Sequence, residues 1–177
     1  MQSSLMKQKG FSLLELILVT VVIGILMASG LKYYQGYIEN AQRVALETQA
    51  RNFQSVLYLA KAQWFIAQAK GEVPRKVSLD NVRVSLNDRG WVYAGGDAKG
   101  GQYKAKSPWQ CLGLWNTVFQ NPPPATMNAS HRGDQKYHIS VSGGRCRFEL
   151  VTNDSASHYF EYSMADGGIK ITVPPKD

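Results

Sequence analysis

Proline is missing from the first 73 residues, and charge is nearly missing from Phe11 to Leu31, where Glu15 alone is ionisable. The first absence lets a helix run on unbroken. The second leaves a run long enough to cross a bilayer core, which takes about 20 mostly apolar residues in helical form. Cysteine is limited to Cys111 and Cys146, too far apart for a CxxC redox or zinc motif. His131, His138 and His158 lack the HExxH spacing of a metal site, and no G-x-S-x-G elbow occurs. The Gly-rich stretch from Gly95 to Gly101 opens no helix and carries no GK[ST] pattern, which argues against a phosphate cradle. We therefore expect no catalytic residue, no cofactor and no metal. Neither an internal repeat nor a long low-complexity tract is present, so the 177 residues fit one domain plus an anchor.

What is present is a misplaced acid. A carboxylate in FSLLELILVTVVIGILMASGL costs on the order of 3 kcal/mol on insertion scales, which the surrounding leucines, valines and isoleucines can offset. The upstream MQSSLMKQKG carries Lys7 and Lys9 and no acid. A basic stub before an apolar run has the form of a signal sequence and holds that end in the cytoplasm. Two plain readings follow. Glu15 could snorkel towards the Lys7/Lys9 side, or cleavage at Ala28-Ser29-Gly30 could release a soluble secreted domain.

Gly10-Phe11-Ser12-Leu13-Leu14-Glu15-Leu16 resembles the processing site of type IV prepilins and pseudopilins. The resemblance implies that a prepilin peptidase cuts between Gly10 and Phe11, that Phe11 becomes an N-methylated N-terminus, and that the apolar helix is kept. It also gives Glu15, fifth residue of the mature chain, an assembly role: pairing with the Phe11 amine of a neighbouring subunit, an attraction that is strong where the dielectric is low. Many such pilins carry proline where this chain has Lys32, so no kink is expected there, although Gly24 and Gly30 weaken the helix. Met6 offers a second start, with the leader MKQKG.

Beyond the membrane run, Ile38, Ala41, Ala45, Phe53, Leu57, Ala60, Trp64 and Ala67 recur at near-helical spacing, with Gly71 as a stop signal. After Pro74 the pattern turns to strands. Residues 75–110 read as irregular, with short strands at Val82 to Leu86 and Trp91 to Tyr93, and 95–101 as an exposed loop tip. CLGLWNTVFQN, from Cys111, reads as a short helix stopped by Pro122-Pro123-Pro124. KYHISVS, Gly143-Gly144 and RCRFELVT form one hairpin; HYFEYSM, a turn at 165–168 and IKITV form another. His138 and His158 are expected to point outwards. The fold class is α+β, and by resemblance the type IV pilin fold: a long N-terminal helix packed on a four-stranded antiparallel sheet. The organisation is a cleaved cytoplasmic leader at 1–10, an assembly helix at 11–36, its amphipathic continuation at 37–73 and a β-rich head at 74–177.

A head on the far side of the membrane lies in an oxidising space, where Cys111 and Cys146 are expected to pair; two separate buried thiols are the alternative. Net charge is +7, or +5 once Lys7 and Lys9 leave with the leader. The basic residues are scattered and match no nucleic-acid motif, so a solvated surface is the simpler reading. The favoured function is a major or minor pilin serving adhesion, with other pilin subunits, the prepilin peptidase and an inner-membrane assembly platform as partners. The precursor would sit in the inner membrane of a Gram-negative bacterium, head in the periplasm, before export to a surface pilus. FEYSMADGGIKITV and CLGLWNTVFQNPPPA are similar to pilins of the mannose-sensitive haemagglutinin group. The runner-up is a pseudopilin of type II secretion. A third reading, from another class, is a filament-tip module binding an adhesion target or DNA.

Overall fold

A computed structural model describes residues 12–79, 82–96, 98, 101–128, 136–152 and 158–173, without the side chains of 31–36 and 39. The chain divides into two compact units between Ala41 and Gln42. Helix α1, Leu13–Ala69, runs through both, with Gly24 and Gly30 helical.

In the N-terminal unit, Leu13–Gly30 has a mean hydropathy of 2.4 and buries none of its side chains. Its few hydroxyls are satisfied internally. Thr20 Oγ1 donates to the carbonyls of Leu16 (3.0 Å) and Ile17 (2.8 Å), and Ser29 Oγ to those of Ile25 (2.7 Å) and Leu26 (3.2 Å). A segment that spends its polar groups this way is suited to surroundings without water.

In the second unit, α1 buries Leu46, Ala50, Phe53, Leu57, Ala60 and Trp64, spaced by four and three residues in turn. The stripe differs from the sequence expectation at its start: Ile38, Ala41 and Ala45 are exposed. Leu46 offers far more apolar surface than Ala45, so the helix is rotated to bury it. Trp64 and Phe65 also part company, with Trp64 in the core and Phe65 exposed, because successive helical residues diverge by about 100°.

The residues after the helix form two sheets. Strands β1 (Lys76–Leu79), β2 (Val82–Leu86) and β3 (Val92–Gly95) make an antiparallel three-stranded sheet; β2 has the expected bounds, β3 begins one residue later and runs two further than expected, and β1 lies where only an irregular segment was expected. Helix α2, Pro108–Val118, starts before Cys111 because Ser107 caps it, accepting from Gln110 N at 3.4 Å, with Pro108 in the first turn. The second sheet runs β4 (Ala125–Thr126), β5 (Tyr137–Ser142), β6 (Arg145–Leu150), β7 (His158–Tyr162) and β8 (Ile169–Thr172) in sequential order. Its last four strands are the expected antiparallel meander. The addition is β4, two residues parallel to β5.

Register places Ile139, Phe148, Phe160 and Ile171 side by side. The tight β5–β6 turn needs positive φ at Gly143 (57°) and Gly144 (75°), which glycine adopts without strain. At the core, Phe53 of α1 lies 5.3 to 5.8 Å from the rings of Phe119, Phe148, Phe160 and Tyr162. The helix stripe and the apolar sheet face thus close on each other, the α+β arrangement of the pilin fold. Tyr162 donates to the Val92 carbonyl at 2.7 Å, tying this sheet to β3, and burial pushes its hydroxyl pKa up.

Two glycines hold the turns against aromatic faces. A Cβ on Gly90 (φ 74°) would lie 2.4 Å from the Trp64 ring, and one on Gly167 (φ 72°) 2.3 Å from the Trp91 ring. Gly167→Val therefore costs about 3 kcal/mol, combining positive φ with a ring that must move. Gly96→Val, at positive φ in open space, costs about 1 kcal/mol. Thermal unfolding of the two variants checks the ranking; equal losses would contradict it.

Candidate functional site: the assembly helix and the head

Glu15 lies in the first turn of α1, where the helix dipole favours an acid. It is exposed, among exposed Leu13, Leu14, Leu16, Ile17 and Leu18. Among the described residues nothing supplies it with a cation. Gly10, Phe11, Lys7, Lys9 and His131 lie outside the described residues.

Cys111 of α2 and Cys146 of β6 form a disulfide, both fully buried, with 5.5 Å between Cα atoms. The bond fixes α2 over the sheet beside Trp115, whose indole is buried and donates to the Pro123 carbonyl at 3.1 Å. That tryptophan stacks on Phe148 at 5.1 Å.

Two of the three histidines are described. His138 occupies an outward position on β5, half-buried, with Nδ1 3.5 Å from Glu149. His158 is buried rather than outward, because the alternation along β7 that buries Phe160 and Tyr162 also takes in its first residue. Among the described residues there is no group of three or more His, Cys, Asp or Glu able to hold a metal. Charge on the outer sheet face is locally paired. Arg147 donates to Glu161 at 2.7 and 2.9 Å, and to Ser142 Oγ at 3.0 Å, and stacks its guanidinium 4.1 Å from the Tyr159 ring centre.

Two further constellations are structural. Lys61 Nζ sits 4.5, 4.8 and 4.8 Å from the rings of Trp64, Phe65 and Trp91 and donates to the Arg89 carbonyl. Partial burial there lowers its pKa below the ordinary lysine value. Asn87, buried, donates to the Met164 carbonyl at 2.7 Å and accepts from Arg89 N and Trp91 N at 3.1 and 3.0 Å. Sequence reading passed over Asn87, although Asn87-Asp88-Arg89-Gly90 is a turn signal in which asparagine binds backbone two residues on. The supposed loop tip also begins inside the fold: Gly95 packs against Thr117, and Ser85 Oγ donates to Gly96 O (2.7 Å) and accepts from Ala98 N (3.1 Å).

Residues 5–31 match the prokaryotic N-terminal methylation motif, the signature of type IV pilins and pseudopilins. That signature supports a type IV pilin or pseudopilin and points to a structural subunit; it implies processing by prepilin peptidase and assembly with other pilins. The motif and the apolar first part of α1, Leu13–Gly30, are together consistent with a membrane-anchored precursor. No curated protein and no solved structure matches the chain.

Proposed function

We propose that the protein is a filament-forming subunit of a type IV pilus serving surface attachment. The observation that carries this reading is Glu15, sole charge in an exposed apolar helix of mean hydropathy 2.4. Cleavage between Gly10 and Phe11 creates a new ammonium four residues from that acid. Between copies, the amine of one subunit can reach the carboxylate of its neighbour as parallel helices slide into register. Neutralisation by a neighbour makes the acid favourable only in the assembled state, which couples assembly to leaving the membrane.

A pilus is preferred to a secretion pseudopilus because type II pseudopilins often resemble one another in a calcium site near the C-terminal loop, whereas here the acid of that turn is engaged by its own neighbours. Asp166 is hydrogen-bonded by Ser163 and accepts from Gly168 N at 3.0 Å, which holds its carboxyl below the usual carboxylate range. On this reading residues 1–10 are the leader, the head matures in the periplasm, and the filament is displayed on the cell surface. Filaments sheared from cells test it. Their subunit should have the mass of a chain starting at Phe11 and carrying one added methyl; a subunit starting after Ala28, Ser29 or Gly30, or absence from sheared filaments, would overturn it.

A further inference from the structure

Helix α1 carries a stretch that belongs neither to the apolar span nor to the core. The span ends at Gly30, and the first buried side chain of α1 among the described residues is Leu46. Between them the backbone stays helical. The stretch includes Lys32, Tyr33, Tyr34 and Tyr37, with no acid before Glu39. Three of the chain's nine tyrosines therefore fall within five positions, a clustering that the core of the second unit does not require. Position 37 lies one helical turn from both 33 and 34, so the three positions share one side of the helix. Tyr37 is 73% exposed and makes no hydrogen bond or ring contact among the described residues.

Length decides what surrounds this stretch. The 18 residues of Leu13–Gly30 rise about 27 Å at 1.5 Å each, against a hydrocarbon core about 30 Å thick. A helix that crosses with this span leaves the hydrocarbon within about a turn of Gly30, at the lysine and the tyrosines. In the hydrocarbon their polar groups would lack partners, and in water their rings would stay exposed. Only the layer between, rich in phosphates and ester carbonyls, suits both ends of a tyrosine and gives an ammonium its counter-charge. We propose that Lys32, Tyr33, Tyr34 and Tyr37 form an interfacial anchor, seated in the headgroup and ester layer of the phospholipid leaflet opposite the Lys7/Lys9 side. The anchor marks the depth at which α1 leaves the hydrocarbon, and Glu39 and Asn40 are the next polar positions beyond it. The inference rests on the membrane-anchored precursor and is independent of what the subunit assembles into.

Fluorescence quenching by lipid of the full-length protein tests this. The vesicles are phosphatidylethanolamine and phosphatidylglycerol with a nitroxide-labelled phosphatidylcholine, its label either beside the ester group or at the methyl end of the chain. All four native tryptophans, Trp64, Trp91, Trp109 and Trp115, belong to the second unit, so the unaltered protein supplies the background to subtract. Added tryptophans in the variants Tyr33→Trp and Tyr37→Trp should be quenched at least twofold more by the shallow label than by the deep one. Val22→Trp, in the middle of the span, should show the reverse preference, and Ala45→Trp should be quenched by neither. The preference at 33 and 37 should persist on tenfold dilution of protein in lipid. Loss of quenching there on dilution would show that copies of the chain cover these positions, and would overturn the anchor. So would Tyr37→Trp unquenched, or quenched more by the deep label, while Val22→Trp behaves as expected; the span would then stand without its anchor. Val22→Trp quenched by neither label would bring down the membrane-anchored reading as well.

Discussion

Glu15→Gln should reach the membrane and be processed normally, yet yield roughly 100-fold fewer filaments than the unaltered protein. The size follows from what the substitution removes. Breaking a buried ion pair by deleting one partner costs about 3–5 kcal/mol, because the other charge is left without compensation, here the ammonium at Phe11. A loss of 3 kcal/mol or so per added subunit is a factor of roughly 100 in the equilibrium for addition. Insertion moves the opposite way, since glutamine is less costly than a carboxylate in hydrocarbon. The defect should therefore appear only after processing, as mature subunit accumulating in the membrane. Immunoblots of membrane and sheared fractions separate the two steps. Glu15→Asp keeps the charge with a shorter reach and should fall between. A membrane fraction depleted of Glu15→Gln would mean that the acid serves insertion instead.

Replacing both Cys111 and Cys146 by alanine should lower the melting temperature of the head by about 10 °C or more. The bridge spans a sequence separation of 35 residues, and closing a loop of that size contributes about 4 kcal/mol in the chain-entropy model. Both residues are fully buried, so the alanines also leave a small void. The consequence passes through α2, which the bond holds over the sheet. Under reducing conditions the unaltered head should melt close to the double variant. A difference of less than about 2 °C between oxidised and reduced protein would show that Trp115 and its aromatic neighbours hold α2 unaided.

Much of this architecture was legible in the sequence because its signals are local. Charge depletion from Phe11 to Leu31, alternation along KYHISVS and RCRFELVT, and glycine pairs at the turns each dictate structure within a few residues. What escaped depends on partners far away in the chain. The burial of Leu46 in place of Ala45 is decided by the core cluster it joins, and the place of Gly90 by Trp64, which lies 26 positions earlier. Of the three-stranded sheet, β2 and β3 were legible, but β1, four residues long, has too few alternations to read, and the pairing of the three was not. His158 was misjudged since a strand's first residue gives no parity until the strand's start is known. Glu15 was legible for a different reason: one acid in an apolar run is a cost that composition alone exposes.

Assembly by the proposed route depends on a carboxylate meeting the amine of another subunit. Magnetic-resonance distances in filaments grown from two differently labelled pools measure that meeting, one pool carrying 15N at Phe11 and the other 13C in the Glu15 carboxyl. Dipolar coupling between the labels, at a separation of about 4 Å or less, is the predicted result. Filaments that contain both pools and show no coupling between the labels would contradict it.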